Sequence, residues 1–473
     1  MPPLCRPENP ASISLAPRKA QLAATSDVLV VGGGPAGLGA ALGAANAGAN
    51  VILTERYGFL GGNATAALVM PLMSFHTQKP TPRKAGATTL LPTDHGPGKP
   101  VVAGVLTTLL DRLVRAGGAI SPSLQTGYVV PFDPEVFKLV ALDLLDEAGV
   151  RFLFHAFASD VISNHRVKGV VFETKSGPIV IQASVVIDCT GDGDVAARAG
   201  APYAIGRDDD QLVQPMTLMF RITEFDLQHF DAYVRQHPDQ WRGVHGLWDL
   251  IRKAVADGNL QLPREDILFF STVHDREVSV NCTRVNKVLG TDVWDLSYAE
   301  WESRRQMRQI VDFLRQYVPG FDNGYIVQSG VNTGVRETRR VLGDYQLTVN
   351  DILQARKFTD AIARSTYPVD IHNPEGTGTM LKRLPPGEAY DIPLRCLLPQ
   401  KVEGLIVAGR CISGTHEAHS SYRVMPVAIA TGHAAGVCAA LAVRQGKPPR
   451  AIRATDVQFE LIRQGANLRD TRQ

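Results

Sequence analysis

Residues 408–436 read AGRCISGTHEAHSSYRVMPVAIATGHAAG and set a cysteine, three histidines, a glutamate, a tyrosine and two arginines among small residues. Three chemistries are open to such a set. His416 and His419 stand three apart, whereas a zinc helix of the H-E-x-x-H kind needs two histidines four apart. No fourth ligand accompanies them and Cys411, so no metal is expected. A nucleophile would be Cys411, with His416 or His419 as its base. The third reading makes the stretch one wall of a cofactor pocket. Arg423 would then hold a carboxylate or polarise a carbonyl, and His416, His419 or Tyr422 would act as general acid or base.

What these residues act on depends on the elements at the other end of the chain. DVLVV (27–31) is a short β-branched apolar run, as a buried parallel strand requires. GGGPAGLGAALGAANAG follows at 32–48, where Gly32, Gly34 and Gly37 fit G-x-G-x-x-G between a strand and a helix. NVILTE (50–55) reads as the next strand and ends in Glu55. Gly32 permits the tight turn, and Gly34, with Pro35 and Ala36, lets backbone approach a pyrophosphate. Gly37 brings the helix against the strand so that its first N–H groups face the phosphates. Glu55 suits a ribose diol and repels a 2′-phosphate.

NAD and FAD both use such a unit. Further along stand Glu55–Arg56, then Gly61–Gly62–Asn63–Ala64–Thr65, then VVIDCTGDGDVAARAGA (185–201) with Gly191 and Asp192 in its GDGD, and GLIVAGR (404–410). With GVRETRR (334–340), YDIPLRCLLP (390–399) and the 408–425 stretch, these blocks resemble the FAD-dependent oxidoreductase family of the glutathione-reductase-like superfamily. The resemblance covers about residues 25–445. It implies FAD as cofactor and an α/β, Rossmann-like FAD/NAD(P)-binding three-layer fold with an inserted α+β substrate domain. The FAD-binding domain would be discontinuous, 27–205 and 331–445, around a substrate-side domain at 206–330. Residues 1–26 would form a flexible leader and 446–473 a C-terminal extension.

The resemblance also assigns parts. Gly62, Asn63, Ala64 and Thr65 would form the second glycine turn on the cofactor, and Gly409 and Arg410 would approach it after the late strand. A helix from Met425, with Val427 and Ala428 in its first turn, would aim its N-terminus at the flavin, where the dipole stabilises an anionic reduced ring. Cys411, His416 and His419 inherit the option of a covalent flavin tether. Arg336, Arg339 and Arg340 raise the question of an anionic substrate. His76 reads as a pocket residue, residues 76–100 as a long loop, and Phe157–Ala158 as backbone for the adenine. Trp241, Trp248, Trp294 and Trp301 could equally roof a cofactor or fill a core.

The bulk numbers narrow the partners. Forty-nine Lys plus Arg against 47 Asp plus Glu leave no field for nucleic acid or an anionic membrane. Six cysteines without C-x-x-C spacing argue for a reducing, cytoplasmic setting and against clusters or disulfides. No apolar run is expected to span a bilayer. No second G-x-G-x-x-G occurs, so the electron donor or acceptor stays open among oxygen, a quinone, another flavoprotein and a nicotinamide; a homo-oligomer is equally open. The reading is hydride transfer between flavin and a small organic substrate. A non-redox flavoprotein (hydratase, lyase or isomerase) is the alternative, and an RNA-modifying flavoprotein is disfavoured by the charge balance.

Overall fold

A computed structural model describes residues 3–79, 85–93, 96–376 and 378–468. The first sheet begins with β1 (Gln21–Val31), and its last four residues are the buried apolar run. Gln21–Ser26 lie inside the stretch read as a leader. They are drawn into the strand by backbone pairing with Ile179–Ala183, not by hydrophobicity, since most of their side chains are exposed. α1 (Pro35–Asn46) and β2 (Val51–Thr54) complete a βαβ start, followed by α2 (Pro134–Glu147) and β3 (Arg151–Leu153). β4 (Phe157–Asn164), β5 (Arg166–Thr174) and β6 (Gly177–Asp188) form an antiparallel meander. The order is β3-β2-β1-β6-β5-β4, with β3, β2, β1 and β6 parallel.

A second, antiparallel sheet follows in the order β8-β9-β10-β11-β7-β12, built from β7 (Phe220–Thr223), β8 (Trp241–Arg242), β9 (His245–Gly246), β10 (Ile267–Ser271), β11 (Val278–Val280) and, after α3 (Val293–Tyr317), β12 (Tyr325–Ser329). Its core is aromatic: Phe225, Phe230, Trp241, Phe269 and Phe321 meet with ring centroids 4.6–5.7 Å apart. Trp241 is therefore core, not roof, because burying its large apolar surface beside other rings stabilises the sheet. Asp133 links the two sheets. It caps α2 through Glu135 N and Val136 N and also bonds His274 (2.5 Å) and Arg221.

β13 (Val369–His372) pairs with Thr379–Lys382, and β14 (Leu405–Val407) returns to the first sheet parallel to β6. α4 (His416–Tyr422) and α5 (Met425–Gln445) end the sheet's cover. α1 and α5 touch through backbone: a Cβ on Gly39 would lie 2.3 Å from Ile429 O, one on Gly432 2.0 Å from Ala36 O, and one on Gly436 2.1 Å from Ala40 O. α5 corrects the expectation that no apolar run is long enough to span a bilayer. It has 21 residues at mean hydropathy 1.6, but 89% of its most apolar window is buried, so it is the core helix of this fold. In the stretch read as a long loop, His76–Gln78 and Pro97–Pro100 form a hairpin; residues 80–84 and 94–95 lie outside the described residues.

Candidate active site

Between the two sheets lies a cavity of about 600 Å³. At one end β1 stops and turns into α1. Gly32 adopts φ +103°, and a Cβ there would sit 2.4 Å from Cys189 O, so only glycine serves. Gly37 does the packing expected of it, since its Cβ would fall 1.8 Å from Gly32 O. Gly34, Pro35 and Ala36 line the cavity with Gly62 and Asn63, and Gly34 and Gly62 form its floor with their backbones in contact. No side chain caps α1 or α5, so two helix N-termini present free N–H groups, and residues from both first turns line this cavity.

Glu55 is buried at the same end and accepts from Gly33 N (2.6 Å) and Tyr57 N (3.0 Å). Burial raises its carboxyl above the usual range. Arg56, Phe157, Ala158, Gly191, Asp192, Gly409, Arg410, Met425 and Ala428 also line the wall. Uncapped helix ends, a glycine floor and a carboxylate at the end of β2 fit an FAD-type dinucleotide. Three residues expected there stand behind the wall. Ala64 and Thr65 sit under the second turn, where the Thr65 hydroxyl donates to Leu60 O at 2.6 Å, and Val427 faces the core.

Arg410 spends its donors on protein: Nε on Gly191 O (2.9 Å), Nη1 on Val335 O (2.5 Å) and Nη2 on Asp192. It clamps GDGD to GVRETRR. Arg339 strengthens the clamp through Asp194 (2.8 Å) and Asp192 O (3.1 Å). Arg340 is fully buried and bonds Glu337, Gly414 O and Gly206 O. Of the three arginines in that motif, Arg336 alone lines the cavity.

The catalytic expectation for His416, His419 and Tyr422 needs correction, because none of them lines the cavity. Thr415 caps α4, and the helix turns these side chains into the core. His416 Nδ1 meets Glu337 at 2.9 Å, and Tyr422 OH donates to Ile412 O at 2.9 Å. Burial holds the His419 ring well below the usual histidine range. Cys411 is equally enclosed, and burial pushes its thiol up, so it is a quiet core residue. His76 stacks on Tyr128 at 3.8 Å away from the cavity.

Arg423 does line the cavity and marks its far end. Its neighbours come from three separated segments: Arg264 and Asp266 before β10, Arg336, and Tyr367, Asp370 and His372 at β13. Arg423 Nη2 and the Tyr367 hydroxyl reach Asp370 Oδ2 at 3.3 and 2.8 Å. Arg336 Nη1 donates to Pro215 O (2.7 Å) and Thr217 Oγ1 (2.5 Å). Burial, then Arg423 and Arg284, push the Arg336 guanidinium down to about 9; burial and Arg264 push Arg284 down to about 10. His372 is pushed down to about 3 by burial and Arg336, so it is neutral at pH 7. Burial alone would raise Asp370, but His372, Arg423 and Tyr367 hold it well below the carboxylate range.

Sequence reasoning missed Arg264, Asp266, Asp370 and His372. A signal existed: Asp370 and His372 stand two apart on one strand, as do Arg264 and Asp266 at the approach to another, and that spacing puts both on one face.

A family described as FAD dependent oxidoreductase matches residues 27–461. The thiamine thiazole synthase of Aeropyrum pernix is 28% identical over 184 residues, 37% of this chain. This chain spans about 57% of the length of that curated relative. Among solved structures, a geranylgeranyl bacteriochlorophyll reductase-like protein of Thermoplasma acidophilum is 16% identical at TM-score 0.43, with 93% of this chain and 82% of that one covered. The p-nitrophenol 4-monooxygenase of Pseudomonas putida is 11% identical at TM-score 0.45, with 93% and 85% covered.

Proposed function

This chain belongs to the FAD-dependent oxidoreductase family, and on that premise we propose that it moves a hydride between flavin and a small, anionic organic substrate. FAD, when bound, supplies the two-electron chemistry, and the protein supplies binding, orientation and charge. The glycine turns, Glu55 and the two helix N-termini hold the dinucleotide; Arg336 and Arg423 hold the substrate at the other end. The observation that carries this reading is one cavity running from the Gly32–Gly37 turn to a cluster of guanidinium groups. Three of them, Arg264, Arg336 and Arg423, line it together with two carboxylates, Asp266 and Asp370, and Arg284, not itself on the wall, reaches His372 Nδ1. Burial and the neighbouring cations Arg423 and Arg284 depress Arg336, a cost that a bound carboxylate relieves. An uncharged ester of the same substrate lacks that gain.

The test is a purified, yellow protein mixed anaerobically with a panel of hydroxy- and aminocarboxylates, with loss of the oxidised-flavin band as readout. The reduced protein is run against the corresponding oxo- and unsaturated acids. Absence of a flavin band sinks the flavoenzyme reading. Response to neutral esters as strong as to the free acids sinks the anionic one.

A further inference from the structure

The chamber needs a group that carries the proton accompanying hydride transfer, and the histidines of α4 do not reach it. Among the described residues that line the cavity there are two histidines, His245 and His372. His372 is occupied on both sides: Nδ1 faces Arg284 and Thr379, each at 3.2 Å, and Nε2 faces Asp370 at 3.6 Å. Positive neighbours disfavour its protonation further. The two tyrosines at the wall serve worse. Tyr57 OH donates to Asn332 at 2.9 Å and Tyr367 OH to Asp370, and burial pushes both phenols up.

His245 differs. It sits on β9, opposite Leu268 of β10 in the second sheet, and its Nδ1 lies 2.7 Å from Asp266 Oδ2. Asp266 is itself fixed, because Arg264 Nε donates to its other oxygen at 2.9 Å and Arg264 Nη1 is anchored on Asn281 O at 3.0 Å. Burial alone would raise Asp266, but His245 and Arg264 hold its carboxyl well below the usual range, so it is a charged acceptor throughout neutral pH. A charged carboxylate at Nδ1 places the neutral ring's proton there and leaves Nε2 with a lone pair. The edge of Trp248, 5.9 Å away, limits the ring on its own side. Besides Arg264 and Asp266, the charged groups on the wall are Arg336, Arg423 and Asp370, with Glu55, Arg56, Asp192, Asp194 and Arg410 from the cofactor-side motifs, and His372 is neutral.

We propose that His245 is the proton acceptor of the reaction and that Asp266 is its positioning residue. The inference rests on the anionic-substrate reading above. In the oxidising direction the O–H or N–H bond of a substrate alcohol or amine breaks and its proton passes to His245 Nε2. The electron pair of the adjacent C–H bond leaves as hydride to the oxidised flavin of the family's FAD. Asp266 stabilises the imidazolium that results, and the proton then leaves to solvent. Arg336 and Arg423 would fix the carboxylate while this happens.

The test uses the FAD-loaded protein with ¹⁵N-labelled histidine, the His245 signals being identified by their loss in His245→Gln. In the wild type in alkaline buffer, Nε2 is expected to show the unprotonated nitrogen signature, and Asp266→Asn is expected to mix the tautomers. Millimolar malonate is expected to shift the His245 signals in the wild type and not in Arg336→Ala. With the acid found to bleach the flavin, His245→Gln is expected to keep FAD and substrate binding. Its bleaching rate should fall about 10²–10⁴-fold and the corresponding limb of the pH profile should vanish. A protonated Nε2 in the wild type, His245 signals indifferent to malonate, or a His245→Gln rate within about threefold of wild type with the limb intact overturns the proposal. A protein without FAD overturns the flavoenzyme reading instead, and the tautomer and malonate results still decide the dyad.

Discussion

At the residue scale, two arginines with similar sequence surroundings have opposite tasks. Arg410 gives its donors to Gly191, Asp192 and Val335 and holds the wall together, whereas Arg423 reaches Asp370 and keeps its Nε buried without a hydrogen-bond partner. An unpaired buried donor beside a cavity is costly unless something else accepts from it. Arg423→Ala is therefore expected to retain FAD and to raise the KM for the acid substrate about 10- to 100-fold, as loss of a charge-assisted hydrogen bond of roughly 1.5–3 kcal/mol implies. Flavin absorbance and steady-state kinetics on one preparation check this; loss of FAD in Arg423→Ala would move Arg423 into the cofactor shell. The types in 408–423 were legible as reactive, but their directions were not. A seven-residue helix decides them, and it points His416, His419 and Tyr422 inward.

At the scale of elements, the contact of α1 with α5 is made by glycines four apart on each helix, Gly39 and Gly43 against Ile429 and His433, and Gly432 and Gly436 against Ala36 and Ala40. Such spacing keeps small residues on one face, so the backbones approach where a larger side chain would hold them apart. The consequence is functional as well as structural: the close fit sets both helix N-termini at the same cavity. Gly436→Ala puts a methyl 2.1 Å from Ala40 O and 2.8 Å from Ala44 N, atoms that cannot move aside. It is expected to cost about 1–3 kcal/mol, visible as a lower urea midpoint, and to weaken FAD retention. The helices at 35–46, 134–147 and 425–445 were readable from sequence through glycine and apolar patterning and through proline in their first turns. β1 was readable only in its second half, because its exposed first half is held by partner backbone that lies some 150 residues away.

At the scale of the whole molecule, burial of titratable groups sets the pH response of stability. Burial lowers His76 to about 4 and His372 to about 3, and lowers His419 and His433 as well. Each of these rings binds its proton more readily in the unfolded chain. The stability they contribute is thus fully present above the unfolded value of about 6.5 and is lost as pH falls toward their folded values. Asp188 has the opposite sign: burial raises it to about 6, so its contribution is fully present below about 3.8 and is lost as pH rises through 6. Glu55, also raised by burial, shares the sign of Asp188; the four histidines outweigh these two carboxyls, and the urea midpoint is expected to fall between about pH 6.5 and 4. His76→Asn should make that fall shallower, and an unchanged slope in that variant would remove His76 from the account. What the sequence determined by itself was local: the turn at Gly32–Gly37, the acidic end of β2, the helices and the family motifs, each a pattern of neighbours along the chain. The tertiary structure alone decided which side chains meet at the cavity. His245, Asp266, Arg336, Asp370 and Arg423 span 179 residues of sequence, and only the closing of the second sheet over the first brings them to one cavity. No periodicity or spacing encodes that meeting, because the contacts that make it lie between elements and not within them.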